Sequence, residues 1–261
     1  MPTPNEGAFP LDPRVKEETL TYLGSSSKNT TFLKRSKMSA QLRNAQNNMQ
    51  TLAFEIMGNE SALSQISEPD LYPELSRLRD QVSGWRFYHH FDTAKGSALR
   101  QPQIGSMTPL LASDGSDLPS ALASIKELGD MDGLTAHFDA AFSGHDLKIV
   151  EERGRFSFLV QQPGLLRGLN PDELSDGTLR YICLLAVLKG LRLPTPLILN
   201  EPETSLHQDL LIPLADLIVE ASRQTQVIVV THSTTLSERI AEQTGVMPLH
   251  LVKVEGETRP A

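Results

Sequence analysis

The chain has 261 residues, of which 39% are hydrophobic, 21% charged and 5% aromatic, a composition that excludes a fibre or a disordered tail and supports a globular core. Its 32 acidic and 24 basic residues give a net charge of −8, so the chain lacks the overall basic field that drives non-specific nucleic-acid binding. One cysteine, Cys183, excludes an intramolecular disulfide, and the absence of an apolar leader or of about 18 consecutive apolar residues predicts a cytoplasmic protein with no membrane span.

The first part of the chain is the least regular. Residues 1–84 are rich in Ser, Asn, Gln and Pro, and the tract 24–31 (GSSSKNTT) has the composition of a loop. The stretch 71–82 spaces its apolar residues as a helix does, and the aromatic stretch 85–91 is typical of a strand. A helix that leads into a strand is therefore expected before residue 92.

Regular elements dominate from about residue 118 onward. Two short helices are expected at 118–128 and 132–142, and the alternation in 147–160 predicts a hairpin that turns at 152–154. The remainder alternates helical and strand patterns with short connections, an order that indicates an α/β architecture with a partly parallel sheet. The sequence shows no repeat and no heptad run, so a long helical arm within it is not expected.

A helix N-terminus is the first of three features that suggest chemistry. Ser175 or Asp176 can cap the apolar helix predicted at 179–188, and Gly177 lets the backbone approach a ligand closely. The free N–H groups of a helix N-terminus carry a partial positive charge and suit an anionic oxygen such as that of a phosphate. An ordinary capped and buried helix has the same pattern, so both interpretations remain open from these residues.

A buried-type strand that ends in acidic residues is the second feature. The run 196–203 (PLILNEPE) places Asn200 and Glu201 at the C-terminal edge of a strand, where open α/β sheets bind ligands. A carboxylate there holds Mg²⁺ through water or positions an attacking water. Glu201 is the candidate general base, and Asn200 can turn its side-chain oxygen toward the metal. A simple polar turn after a core strand is the alternative.

A second buried-type strand, 226–233 (QVIVVTHS), is the third feature and ends near His232. If this strand and 196–203 are parallel neighbours, His232 emerges at the same sheet edge as Glu201. The apolar stripe of the intervening helix makes a βαβ unit plausible and supports that geometry. His232 can then sense or polarise a terminal phosphate, although an isolated histidine after a strand is often structural.

Taken together, these residues resemble the second half of an ATP-binding-cassette-type ATPase of the SMC, Rad50 and RecF kind, and more closely the bacterial AAA family ATPases of the AAA_21 type. The resemblance implies that 174–178 (LSDGT) is the signature motif and that 197–203 is the Walker B strand with its catalytic glutamate at Glu201. It also implies that His232 is the switch histidine and that 204–207 is the D-loop, with its site residues Ser205 and His207.

The fold that this resemblance implies is a P-loop NTPase of the ABC-type ATPase head, with a mixed, largely parallel sheet flanked by helices and incomplete at its N-terminus. Residues 1–110 would be the remainder of the N-terminal lobe and connectors, and 111–261 the C-terminal ATPase lobe. The implied activity is ATP binding and Mg²⁺-dependent ATP hydrolysis by a dimer with composite sites, in DNA repair or defence. DNA is a possible partner, although the net charge does not support it.

In these ATPases the signature motif contacts the terminal phosphate of the nucleotide bound to the opposite subunit. By resemblance, Ser175, Asp176 and Gly177 would therefore bind nucleotide in trans. Asn200 departs from the family pattern, which has aspartate there, so the metal shell loses one formal charge while it keeps a carbonyl oxygen.

A larger departure is that the sequence contains no G-x-x-x-x-G-K-[ST] motif, since the Gly-Ser-rich tract 24–28 has no second glycine before its lysine. The chain is thus expected to be a family member that lacks its Walker A segment. A truncated start, one product of a split gene and a degenerate ATPase all fit. We then expect a homodimer or a P-loop-bearing partner.

Other classes of function compete with this interpretation. A catalytically incomplete interaction subunit would keep the motifs for dimerisation alone. A metal-dependent hydrolase built on His89, His90 and Asp92 is disfavoured because adjacent strand residues point to opposite faces and no second ligand cluster occurs. A serine hydrolase that pairs His232 with a neighbouring serine lacks the G-x-S-x-G turn.

Overall fold

A computed structural model describes residues 13–23 and 29–261 of the protein. The chain forms two compact units, one that ends at Gly84 and one that spans Trp85–Ala261. Each unit has a hydrophobic core of its own. The division expected at residue 110 lies inside the second unit, and the assignment of residues 1–110 and 111–261 to two ATPase lobes stays a prediction.

An antiparallel sheet forms most of the first unit. Its strands are hydrogen-bonded in chain order, namely β1 (Glu17–Tyr22), β2 (Thr30–Ser36), β3 (Ser39–Arg43) and β4 (Met49–Thr51). Two helices follow, namely α1 (Ala62–Gln65) and α2 (Pro73–Ser83). Leu33 and Leu42 pair across β2 and β3 and are fully buried, so the sheet contributes directly to the core of this unit.

The expectation of an irregular first part is therefore wrong for the described residues. Thr30 and Thr31, expected in a loop, begin β2, whereas the tract 24–28 lies outside the described residues. The alternation of β2 is hard to recognise because Arg35 occupies an inward position and is only 1% exposed. Its guanidinium donates to the carbonyls of Lys37 and Met57, each at 2.7 Å, which is how a buried charge is tolerated there.

The second unit contains helices and strands in mixed order. In chain order they are β5 (Arg86–Tyr88), β6 (Gln103–Ile104), α3 (Leu118–Leu128), α4 (Met131–Ala141), β7 (Asp146–Glu152), β8 (Arg155–Gln161), α5 (Asp176–Leu188), β9 (Leu197–Asn200), α6 (Leu211–Ser222), β10 (Val227–Val230), α7 (Thr234–Thr244), β11 (Leu251–Val254) and β12 (Glu257–Pro260). The helix expected at 71–82 is α2, those expected at 118–128 and 132–142 are α3 and α4, and the hairpin is β7–β8.

A parallel sheet holds the strands that carry the candidate motifs. Its order is β10–β9–β5, and both pairings are parallel. The prediction that β9 and β10 are parallel neighbours is confirmed. Leu197 and Leu199 of β9 are fully buried, which agrees with the apolar run in the sequence. The strand expected at 85–91 is shorter than predicted, because only Arg86–Tyr88 pair with β9.

Helix α5 is the central element of the second unit. All residues from Leu179 to Leu188 are buried, and the helix contacts α3, α4 and α6. A separate antiparallel sheet, in the order β6–β8–β7, packs against α3, and β11 pairs with β12 as a terminal hairpin. The fold is therefore mixed α/β, with a parallel sheet and flanking helices, as expected. Across 13–23 and 29–261, no helix has both the length and the apolar character needed to cross a membrane.

Candidate functional site

The turn after β9 has a strained backbone. Glu201 has a φ of 47° and Ser205 a φ of 64°, a left-handed conformation that is unfavourable for residues with a side chain. The Glu201 amide donates to the carbonyl of Val230 at 2.7 Å, so pairing with β10 continues one residue past the strand. Such strain persists only where surrounding contacts impose it.

Glu201 and His232 meet at this edge. Oε1 of Glu201 lies 3.3 Å from Nε2 of His232, and the histidine side chain is 86% exposed. The structure thus brings together the two residues that the sequence placed at the ends of neighbouring strands. In such a pair the carboxylate can accept a proton while the exposed imidazole binds an anionic group.

Asn200 contacts a residue from the neighbouring strand's end. Its Nδ2 lies 2.7 Å from Nδ1 of His89, which directly follows β5. Nδ2 can only donate, so the bond to His89 does not use Oδ1 of Asn200. Oδ1 is the atom of this side chain that can bind a cation. From the sequence, His89 was a candidate only for a metal site with His90 and Asp92, and no sequence pattern indicated its contact with Asn200.

The donor set at this edge suits Mg²⁺ only in part. Carbonyl and carboxylate oxygens, here from Asn200 and Glu201, are the ligands that Mg²⁺ takes in proteins. The described residues contain no group of three or more His, Cys, Asp or Glu side chains arranged to hold a metal. Any Mg²⁺ would therefore rely on water and substrate oxygens for most of its shell, as it commonly does in nucleotide sites.

Glu203 is a further residue of this site that sequence reasoning did not assign a role. Its Oε1 accepts from the Thr231 hydroxyl at 2.6 Å, from the His232 amide at 2.8 Å and from the Ser233 amide at 3.2 Å. The only signal in the sequence was the second acid in PLILNEPE. Ser233 itself caps α7, since its Oγ accepts from the Leu236 amide at 3.2 Å, which argues against a nucleophilic serine beside His232.

The segment expected to bind nucleotide in trans forms the start of α5. Ser175 is the N-cap, and its Oγ accepts from the Thr178 amide at 3.1 Å. Asp176 has a partner within the chain, because its Oδ1 lies 2.9 Å from Nη2 of Arg100. The guanidinium of Arg100 is buried and also donates to the carbonyls of Pro171 and Leu174, so it fixes the loop that leads into the helix.

Gly177 brings this helix start against the turn after β9. A Cβ atom added at Gly177 would lie 2.5 Å from the backbone carbonyl oxygen of Ser205. The predicted signature and D-loop segments are therefore in direct contact, which the sequence alone did not show. His207 caps the turn that follows, and its Nδ1 lies 3.2 Å from Oδ2 of Asp209. Its side chain is 76% exposed, and this contact is with a residue only two positions further along the chain.

Arg180 links α5 to both strand ends. Its Nη2 donates to the carbonyl oxygens of His89 and Glu201, each at 3.0 Å, and its guanidinium lies 5.8 Å from the centre of the Phe91 ring. Burial lowers the pKa of the Arg180 guanidinium below its ordinary value, and the negative charges of Glu203 and Glu201 oppose that shift.

Removal of the Ser175 cap should destabilise the second unit. We expect Ser175→Ala to lower the free energy of unfolding by about 1 kcal/mol, because the Thr178 amide loses its acceptor. Urea denaturation measures the change, and Ser175→Asp, which keeps a capping oxygen beside the helix N-terminus, should stay close to the unsubstituted chain. Equal loss in both variants would show that the cap contributes nothing and that another property of the serine matters.

A protein-family model matches most of the chain. The model of the AAA_21 family, described as "AAA domain, putative AbiEii toxin, Type IV TA system", matches residues 13–238. This range includes every candidate site residue named above. No curated protein matches the chain.

Comparison with solved structures gives SMC head domains. One is the Smc head domain with an extended coiled coil bound to the C-terminal domain of ScpA, from Pyrococcus furiosus, with 15% identity, a TM-score of 0.43 and coverage of 54% of this chain and 36% of that chain. The SMC head domain from Thermotoga maritima has 12% identity, a TM-score of 0.40 and coverage of 93% and 72%. The SmcHead bound to the C-winged helix domain of ScpA has 12% identity, a TM-score of 0.46 and coverage of 85% and 66%. The chain thus spans only about a third of the Pyrococcus furiosus chain that it matches.

Proposed function

We propose that this chain, which belongs to the AAA_21 family of AAA domains, is an ATPase subunit that uses the C-terminal edge of its parallel sheet to hydrolyse ATP. The observation that carries the proposal is the 3.3 Å approach of the Glu201 carboxylate to the exposed His232 ring at that edge. Ligands of open α/β sheets bind at this position, and family membership makes ATP the expected ligand.

The roles follow from the chemistry of each side chain. Glu201 accepts a proton from the attacking water, and His232 donates a hydrogen bond to an oxygen of the terminal phosphate. Asn200 would offer its Oδ1 to a bound Mg²⁺, because its contact with His89 is made by Nδ2 and not by Oδ1. When bound, Mg²⁺ neutralises charge that builds on the phosphate oxygens.

A dimer completes the site in this proposal. Ser175, Gly177 and the backbone of Asp176 at the start of α5 would contact the terminal phosphate on the opposite subunit, with the helix N-terminus turned to the anion. Ser205 lies against Gly177 and so belongs to the same surface, and His207 follows it on the exposed side. The contact between these segments supports a joint role in the subunit interface.

The family description supports a defence role over DNA repair. It names a putative AbiEii toxin of a Type IV toxin–antitoxin system, and we infer a related activity in the cytoplasm for this chain. The net charge of −8 gives no support for DNA as the direct partner.

A non-catalytic interaction subunit is the second candidate. It is favoured by one observation, the absence of G-x-x-x-x-G-K-[ST] from the 261 residues, because nucleotide phosphates would then need a P-loop from a partner. ATP turnover by a mixture of this chain and a P-loop-bearing AAA_21 protein distinguishes the ATPase subunit from the non-catalytic subunit. The ATPase proposal expects more turnover than the sum of the separate proteins, and an unchanged sum would contradict it.

The 261-residue chain on its own should bind ATP weakly or not at all, since it lacks the glycine-rich loop whose amides hold the phosphates. Titration of the chain with a fluorescent ATP analogue measures this. A P-loop-bearing AAA_21 protein serves as the positive control. Micromolar affinity of the chain alone would overturn the expectation and locate a phosphate site elsewhere in it.

A further inference from the structure

One carboxylate connects the turn after β9 to the loop after β10. Glu203 lies two residues past Glu201, and its Oε1 receives hydrogen bonds from three consecutive residues, Thr231, His232 and Ser233. Hydrogen bonds to a charged acceptor are stronger than those between neutral groups. The two segments are about 30 residues apart in the chain, so this oxygen fixes their spacing at the sheet edge.

The three donors define the path of the loop. Two of them are backbone amides, of His232 and Ser233, and the third is the Thr231 hydroxyl, whose oxygen also accepts from the Ser233 amide at 2.9 Å. Backbone amides of successive residues that converge on one anion form a nest, which holds its residues in a single conformation. The main chain at His232 is therefore restrained by Glu203.

The ring of His232 depends on this restraint. Its side chain is 86% exposed, so little packing limits its position apart from the 3.3 Å contact with Glu201. A ring on a mobile loop would spend part of its time away from that contact. We propose that Glu203 is a positioning residue, which holds the loop 231–233 so that the His232 ring stays beside Glu201. Its role in the reaction rests on the ATPase function proposed above.

Glu203 is unsuited to act on the substrate itself. Its Oε1 is occupied by three donors, and its Oε2 is buried with no hydrogen-bond partner in the described part of the chain. The nearby guanidinium of Arg180 provides a compensating positive charge. The carboxylate therefore acts as an acceptor for the loop, and its second oxygen is buried away from any water that could give it a proton.

Two substitutions separate these possibilities in the full chain. Glu203→Ala removes the acceptor, whereas Glu203→Gln keeps an oxygen in the same place without the charge. NMR of the ¹⁵N-labelled chain measures hydrogen exchange at the His232 and Ser233 amides, and the mixed assay with a P-loop-bearing AAA_21 protein gives kcat and KM. We expect Glu203→Ala to accelerate exchange at least about tenfold and to lower kcat roughly ten- to hundredfold with little change in KM.

Glu203→Gln should restore most of the amide protection and most of the kcat that Glu203→Ala loses. Unchanged amide exchange in Glu203→Ala would overturn the proposal, as would a Glu203→Gln variant with protected amides and the kcat of Glu203→Ala. If Glu203→Ala does not fold, Thr231→Val removes one donor and should give a smaller acceleration of exchange at Ser233; no acceleration there also overturns the proposal. Faster exchange without turnover in any mixture would refute the ATPase function while supporting the restraint on the loop.

Discussion

Glu201→Gln should lower the ATP turnover that the mixture gains over the sum of the separate proteins about 10²- to 10⁴-fold, because the amide cannot accept the proton of the attacking water. The two side chains are nearly isosteric, and Gln can still contact Nε2 of His232, so we expect nucleotide binding and the free energy of unfolding to change little. The measurement is steady-state turnover with equal amounts of chain and P-loop-bearing AAA_21 protein, beside urea denaturation of the chain alone.

Glu238→Gln provides the matched control for this substitution. Glu238 is exposed on α7, so the same change of charge there should leave turnover unaffected. A non-catalytic interaction subunit would be indifferent to both substitutions. Equal turnover of the Glu201→Gln mixture and the unsubstituted mixture would therefore assign the chain to that second candidate.

Gly177→Ala should destabilise the chain by about 1–3 kcal/mol, as overpacking does in other tight contacts. The added Cβ would lie 2.5 Å from the Ser205 carbonyl oxygen, which is backbone and cannot rotate away, so α5 and the turn after β9 must separate. Urea denaturation should show a lower midpoint. The same variant should lose turnover in the mixed assay, since both segments belong to the proposed subunit surface.

The control for this variant is Gly58→Ala. A Cβ at Gly58 would be 3.9 Å from the flexible Arg14 side chain, which is ordinary contact, and we expect its stability to match the unsubstituted chain. If Gly177→Ala unfolds at the same urea concentration as Gly58→Ala, the close approach of the two segments is not a feature of the folded protein.

Local patterns in the sequence were sufficient for the elements of the second unit that carry the candidate motifs. The apolar runs before Asn200 and Thr231 predicted β9 and β10, and the continuous apolar run 179–188 predicted a buried helix. Each of these elements has its own local run of apolar residues, and that run is enough to predict it. The meeting of Glu201 with His232 then followed from parallel pairing of two neighbouring strands.

The remaining contacts of the site depend on distant segments. His89 lies 111 residues from Asn200, and Arg100 lies 76 residues from Asp176. No local sequence pattern relates the members of such pairs. The first contact depends on the order of the strands in the sheet, and the second depends on the path of the loop that leads into α5. Strand β2 of the first unit escaped prediction for a different reason, since the inward Arg35 interrupts the apolar alternation on which strand recognition depends.

The left-handed backbone at position 201 lowers the stability of the fold while it carries the Glu201 carboxylate. A residue with a side chain in that conformation costs on the order of 1–3 kcal/mol, whereas glycine adopts it freely. Substitutions that relieve the backbone there would raise the melting temperature and remove the carboxylate together. If Glu201 has the catalytic role proposed above, a laboratory selection for heat resistance alone would enrich inactive variants at this position, and only a selection for ATP turnover would retain the glutamate.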